Sequence, residues 1–246
     1  MDDFNLKSNL FKKSLGIVTK TIGNKKSTKI NFVNENSEII DNVINLKEPP
    51  KKISKSNIFK VRGEADSIAT QVRYHDPAID TDINNNITKK ILDNLEISRC
   101  ESLGSIDLPG VLVNITNNLK SQYSEIFDKE DLSINDYQKI FHYYSFMNFT
   151  NQKNDSNYQK IEKFFRMKFN SNVDKDFKKL KEYIKDQKVF SEKSLKMLFE
   201  FGFENLTDYD ENKKNKSENN ENNDDENNSK KEKENKKQKK VELTKE

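Results

Sequence analysis

Between Ser54 and Pro77 the chain carries Ile58, Val61, Ala65, Ile68, Ala69 and Val72 on a 3.6-residue period. Ser54 or Ser56 can cap one end of the stretch and Pro77 forbids its continuation at the other. A strand cannot gather those side chains on one side, because it alternates faces every second residue. The stretch is therefore an amphipathic helix whose apolar stripe has to be buried against other elements.

The device recurs. Asn86 to Leu103 shows Ile87, Ile91, Leu95 and Cys100 at helical spacing and closes at Gly104. Asp107 is placed to cap a third segment in which Val111, Ile115 and Leu119 share a face. Ser133 and Asp136 approximate a capping box ahead of Ile134, Tyr137, Ile140, Phe141 and Tyr144. Helices are expected from Ser156 through Phe169, from Asn172 to Asp186 and from Ser191 to Phe201, with Gly202 as the stop.

The first 56 residues read differently. Phe11, Leu15 and Val18 sit at helical spacing before Gly23, TKINFVN alternates like a strand, and IIDNVINL offers a second strand before Pro49-Pro50 breaks the chain. At the other end, Val241 and Leu243 are the only clearly apolar residues beyond Glu211, too few to offset the entropy of ordering the segment. Charge is segregated there: Ser217 to Asn228 holds five acidic and no basic residues, and Ser229 to Lys240 holds seven Lys against two Glu. The expected organisation is a mainly α protein. A small α+β unit over 1–56 packs on an all-helical body of about six or seven helices over 57–208, and a disordered Asn, Lys and Glu-rich tail covers 209–246.

Composition narrows the function classes. Only 32% of the 246 residues are hydrophobic, with sixteen Phe and eight Tyr among them, so the aromatics must supply much of the core. The net charge of +3 gives no whole-chain field for nucleic acid or membrane, leaving the Lys-rich tail as the one local candidate for such binding. No segment reaches the roughly 20 apolar residues of a membrane span, and the start lacks a secretory apolar run, so a cytoplasmic location is expected. A single cysteine, Cys100, excludes an internal disulfide and a multi-cysteine zinc site and is expected to be buried. The sequence has no phosphate-binding Gly-x-x-x-x-Gly-Lys loop, no Gly-x-Ser-x-Gly elbow and no His-Glu-x-x-His pair. His142, among Tyr143, Tyr144 and Phe146, reads as a core residue.

Two charged sets remain. Arg62 and Asp66, four apart, are expected on the helix surface opposite the stripe, with Arg73 further along that side and His75-Asp76 at its end. A His beside a carboxylate can act as a general base; a surface ion pair and a His at a helix C-terminus account for the same residues. Glu96, Arg99 and Glu101 on the next helix could pair with Arg62 or Arg73 across a helix hairpin, or form a docking face. Gly63, costly inside a helix, points to another helix crossing there.

Three blocks in order, VRGEADSIATQVRYHDPAI, LEISRCESLGS and LPGVLVNITNNL, resemble the N-terminal region of the CobT subunit family of aerobic, ATP-dependent cobaltochelatase. The matching positions are Arg62, Gly63, Ala65, Asp66, His75 and Asp76; Glu96, Arg99, Glu101 and Gly104; and Gly110, Val111 and Asn114, with Ile115 in place of Leu. The resemblance implies a non-catalytic subunit that works with an AAA+ ATPase and a large corrin-binding subunit to insert cobalt during cobalamin biosynthesis, possible also as a homo-oligomer within a ring complex. It implies that ATP, Mg and cobalt sit on the partner subunits, with no catalytic or metal-binding residue in this chain. A partner-docking face would comprise Arg62, Asp66, Arg73, His75, Asp76, Glu96, Arg99 and Glu101. The family continues past a charged linker into a von Willebrand A type domain with an Asp-x-Ser-x-Ser motif, which this sequence does not contain; a fragment or a shortened form is expected. The alternative is a free-standing helical interaction protein whose Lys-rich tail binds nucleic acid.

Overall fold

A computed structural model describes residues 3–203 apart from 41–42, 51–53, 80–82, 84, 130–131 and 170–171. The charged tail over 209–246 lies outside the described residues. Along the chain run α1 (Asp3–Ile22), β1 (Lys29–Val33), β2 (Glu38–Ile40), β3 (Val43–Lys47), α2 (Lys55–Tyr74) and α3 (Asn86–Asp107). They are followed by α4 (Pro109–Gln122), α5 (Ser124–Phe127), α6 (Ile134–Phe149), α7 (Ser156–Phe169), α8 (Val173–Glu182) and α9 (Gln187–Glu200). The protein is mainly helical with a small sheet near its start.

The sheet has the order β1-β3-β2, with β1 parallel and β2 antiparallel to β3. The single second strand expected in IIDNVINL is thus two strands running in opposite directions. The apolar alternation on either side of Asp41-Asn42 hides the reversal, although both residue types favour turns. Ile30 pairs with Ile44 and Phe32 with Leu46, so these side chains share one face. That face joins Leu15, Phe11, Val61, Ala65, Ile68 and Val72 in one apolar cluster, and the stripe on α2 finds its partner in α1 and the sheet. On α1 the buried row ends in Thr19 and Ile22, whereas Val18, expected on that row, is 47% exposed. The stripe turns by one residue because Thr19 can return its hydroxyl to the Leu15 carbonyl at 2.9 Å and be buried without loss.

The second core is built around α6, where every residue from Ile140 to Phe149 is buried. Such an all-round burial needs neighbours on all sides. Phe141 meets Phe165 with ring centroids 4.8 Å apart, and Tyr144 stacks between Tyr158 at 4.9 Å and Phe165 at 4.7 Å. The two tyrosine hydroxyls of α6 that lie in this core are paired: Tyr143 donates to Asp155 at 2.6 Å and Tyr144 to Asp174 at 2.7 Å. On the side towards α3, Ser98 and Ser145 approach to 2.6 Å between hydroxyls, since small side chains let the two helices come close.

Several helix limits differ from expectation, each for a local reason. α3 runs through Gly104 to Asp107, because Gly104 packs against Thr70 on α2 and is a crossing point, not a stop. Asp107 does not cap α4; Leu108 holds that position without a side-chain bond, and Pro109 starts the helix with no N–H to satisfy. α9 begins at Gln187, capped by Asp186 accepting from the Val189 N–H at 3.1 Å, so α8 stops short at Glu182. The expected capping box of Ser133 and Asp136 is formed, Ser54 caps α2, and Gly202 follows α9 with φ +88°, a left-handed stop.

Candidate functional site

The crossing of α2 and α4 is set by Gly63. A Cβ there would lie closer than 3.0 Å to the Asn114 carbonyl oxygen and the Asn118 Cβ, so only glycine lets the helices approach this far. One turn on, Asp66 is 3% exposed and accepts a 2.8 Å hydrogen bond from the Asn114 amide. Burial pushes its carboxyl up to about 6, against the smaller opposing effects of the Asn114 bond and the Arg62 charge. This corrects the expectation of Asp66 on an outward surface: the face of α2 marked by Gly63 and Asp66 is covered by α4.

At the end of α2, Arg99 is 2% exposed and ties three elements together. It forks onto the Glu96 carboxylate at 2.7 and 2.8 Å and donates to the Tyr74 carbonyl at 2.7 Å, the Ile184 carbonyl at 3.1 Å and the Gln187 side-chain oxygen at 3.2 Å. His75 Nδ1 lies 2.9 Å from Glu96 Oε1, the oxygen that also accepts from Arg99 Nη2. Burial alone would raise the Glu96 carboxyl, yet the bonds from Arg99 and His75 outweigh it and hold the group below its ordinary range. Gln187 completes the knot by clamping the Asp76 backbone, accepting from its N–H at 2.8 Å and donating to its carbonyl at 2.9 Å. Cys100 is fully buried beside this cluster, and desolvation holds its thiol far above the ordinary range, so it stays protonated and inert.

The third assembly lies deeper. Glu101, 1% exposed, accepts from the Ser67 hydroxyl at 2.6 Å and lies 2.7 Å from His142 Nε2, while His142 Nδ1 lies 2.9 Å from the Tyr123 hydroxyl. The two ring nitrogens of His142 thus bridge the Tyr123 hydroxyl and the Glu101 carboxylate. Ser67, Glu101, Tyr123 and His142 all line a cleft of about 650 Å³ that opens between α2, α3, the end of α4 and the loop after β1.

Of the eight charged residues expected on a docking face, Arg62, Arg73, His75 and Asp76 are exposed, Glu96 is half-buried, and Asp66, Arg99 and Glu101 are buried. The pairings expected between Glu96, Arg99 or Glu101 and Arg62 or Arg73 do not form; Glu96 instead takes Arg99 on its own helix and His75. The reason is reach: the side of α3 facing α2 meets its C-terminal turn, where backbone carbonyls and His75 stand, and Arg73 turns away to the Ile22 carbonyl at 3.3 Å. Gln187, Ser67 and Tyr123 carry no sequence signal, being common polar residues made important by contacts over 19 to 112 residues. Among the described residues, no three His, Cys, Asp or Glu side chains converge as metal ligands, and no helix is long and apolar enough to cross a membrane.

These contacts define a mainly helical protein in which most ionisable residues of the three blocks hold structural elements against one another. The family model described as cobalamin biosynthesis protein CobT matches residues 6–246, and the chain belongs to that family. Its setting is therefore cobalamin biosynthesis. No curated protein and no solved structure matches the chain.

Proposed function

We propose that this chain is a non-catalytic subunit of the ATP-dependent cobaltochelatase, which inserts cobalt into the corrin ring, and that it docks to the AAA+ ATPase subunit and bridges it to the large corrin-binding subunit. ATP and Mg²⁺ are held by the partner subunits in this reading, and cobalt is their substrate. Family membership supports it, together with one structural observation. Once the buried charges are set aside, Arg62, Arg73, His75 and Asp76 remain exposed along one helix and its end.

Arg73 and Asp76 are anchored within that group. Arg73 lies 5.2 Å over the Tyr74 ring and donates to the Ile22 carbonyl, and Asp76 is fixed by Gln187 and by accepting from the Ala78 N–H at 3.0 Å. Preformed rim charges steer association and select partners more than they add affinity. The test is co-purification with the ATPase subunit, comparing the native chain with Arg62→Glu/Arg73→Glu. The expected result is binding weakened by about tenfold or more at low salt, with a cooperative thermal unfolding transition retained. Undiminished binding of the double variant removes this face from the docking surface.

A further inference from the structure

We propose that the outward face of α1 receives an amphipathic helix of a partner protein, with apolar residues along its seam and carboxylates set against the lysines of α1. Leu6, Leu10 and Ile17 are 53%, 55% and 57% exposed, with Val18 on their flank at 47%. Among the described residues, every other helix exposes at most one large apolar side chain, so the row is more than ordinary surface scatter. The opposite side of α1 is apolar as well, where Phe11, Leu15 and Ile22 face the body. A helix that is apolar all round is a buried helix. The body covers α1 on one side only, through α2 and the sheet.

Spacing identifies the occupant as a helix. Leu6, Leu10, Lys13 and Ile17 follow one another at intervals of four, three and four residues, the repeat of a seam between two helices. The row is about three turns long, and the exposed Ser14 beside it leaves room for a side chain of the partner. Its three most exposed members lie within about 40° of one another around the helix axis, the narrow stripe of a single seam and not the broad face of a helix lying in a bilayer surface.

Charge gives the partner its chemistry. From Leu6 to Ile22 the helix has four Lys and no acidic residue. Lys12 turns towards the sheet, to Glu48 and the Phe32 ring. Lys13 stays exposed at a seam position, with no ion pair among the described residues. A second copy of this segment would bring it only further Lys, whereas a glutamate or aspartate of a different helix supplies the opposite charge.

The experiment is fluorescence anisotropy of the full chain with a labelled three-heptad peptide. Its seam is leucine except for one central glutamate, and glutamate at the flanking positions keeps it from pairing with itself. A second peptide carries lysine in place of every glutamate. The expected result is saturable binding of the acidic peptide and at least about tenfold weaker binding of the lysine peptide. Leu10→Gln/Ile17→Gln should weaken the acidic peptide at least about tenfold, whereas Val113→Gln, which removes an exposed apolar side chain from α4, should leave it unchanged. Lys13→Glu should weaken the acidic peptide and strengthen the lysine peptide. Circular dichroism melts of the variants confirm that they are folded. Equal binding of the two peptides, full binding by Leu10→Gln/Ile17→Gln, or no binding at hundreds of micromolar peptide overturns the proposal. Sedimentation equilibrium showing a dimer that Leu10→Gln/Ile17→Gln dissociates would overturn it in favour of a second copy. Phosphatidylserine vesicles that bind the native chain and not that variant would overturn it in favour of an anionic bilayer. None of these outcomes depends on the ATPase contact, which the co-purification reads separately.

Discussion

The carboxylate of Glu101 and the imidazole of His142 stand 2.7 Å apart, 1% and 5% exposed, and join α3 to α6 across 41 residues of chain. Removing one member of a buried pair strands the other in a medium that solvates it poorly. Glu101→Ala is expected to cost about 3 kcal/mol, and His142→Ala a similar amount because the Tyr123 hydroxyl also loses its partner. The double variant should cost less than the sum by about 1 kcal/mol or more, read from urea unfolding of all four proteins. Strict additivity would show that the two groups do not act on each other.

Two glycines and a third make a contrast of sign. Gly63→Ala drives a methyl into the backbone of α4, and Gly104→Ala drives one into Thr70, which is itself fully buried. Losses of about 3 and about 2 kcal/mol are expected, larger than the helix-propensity gain of about 1 kcal/mol. Gly110, in the first turn of α4, has nothing within 4 Å of an added Cβ, and Gly110→Ala should stabilise by about 0.5 kcal/mol. Thermal denaturation of the three single variants checks the order.

Asp66 gives a pH dependence with a defined sign. Its carboxyl is raised from 3.8 to about 6 by burial, so the folded protein binds a proton that the unfolded chain releases. The favourable contribution is fully present below about pH 4 and is lost as pH rises through about 6. Asp66→Asn keeps an acceptor for Asn114 and does not titrate. The stability of the variant relative to the native chain should rise between pH 4 and pH 7, by up to about 3 kcal/mol. A difference that is flat across this range would contradict a buried, ionising Asp66.

Arg99 and Gln187 hold α9 on the body through the Ile184 carbonyl and the Asp76 backbone. An ammonium group cannot fork onto Glu96 and still reach two carbonyls, so Arg99→Lys should destabilise by about 2 kcal/mol. Gln187→Ala should act locally, raising amide exchange over Gln187–Glu200 several-fold while leaving α3 and α6 protected. Exchange that rises evenly over the whole protein would show that α9 is not a separately held element.

By itself, the sequence determined what neighbouring residues can settle. The 3.6-residue stripe of α2, the capping box at Ser133, the Ser54 cap, the Gly202 stop and the burial of Cys100 and His142 all follow from local spacing, chain stereochemistry and side-chain polarity. The need for a helix crossing at Gly63 was also readable, since glycine inside a helix has a cost that close packing explains. Which charges point outward was not. Arg62 and Asp66 share one side of a helical wheel, yet α4 covers Asp66 and leaves Arg62 in water. Glu96, Arg99 and Glu101 lie within six positions, yet the first two close a knot with His75 and Gln187 while the third turns to His142. Spacing fixes the direction of a side chain around its own axis, but only the packing of distant helices decides whether water, a backbone carbonyl or another charge stands there.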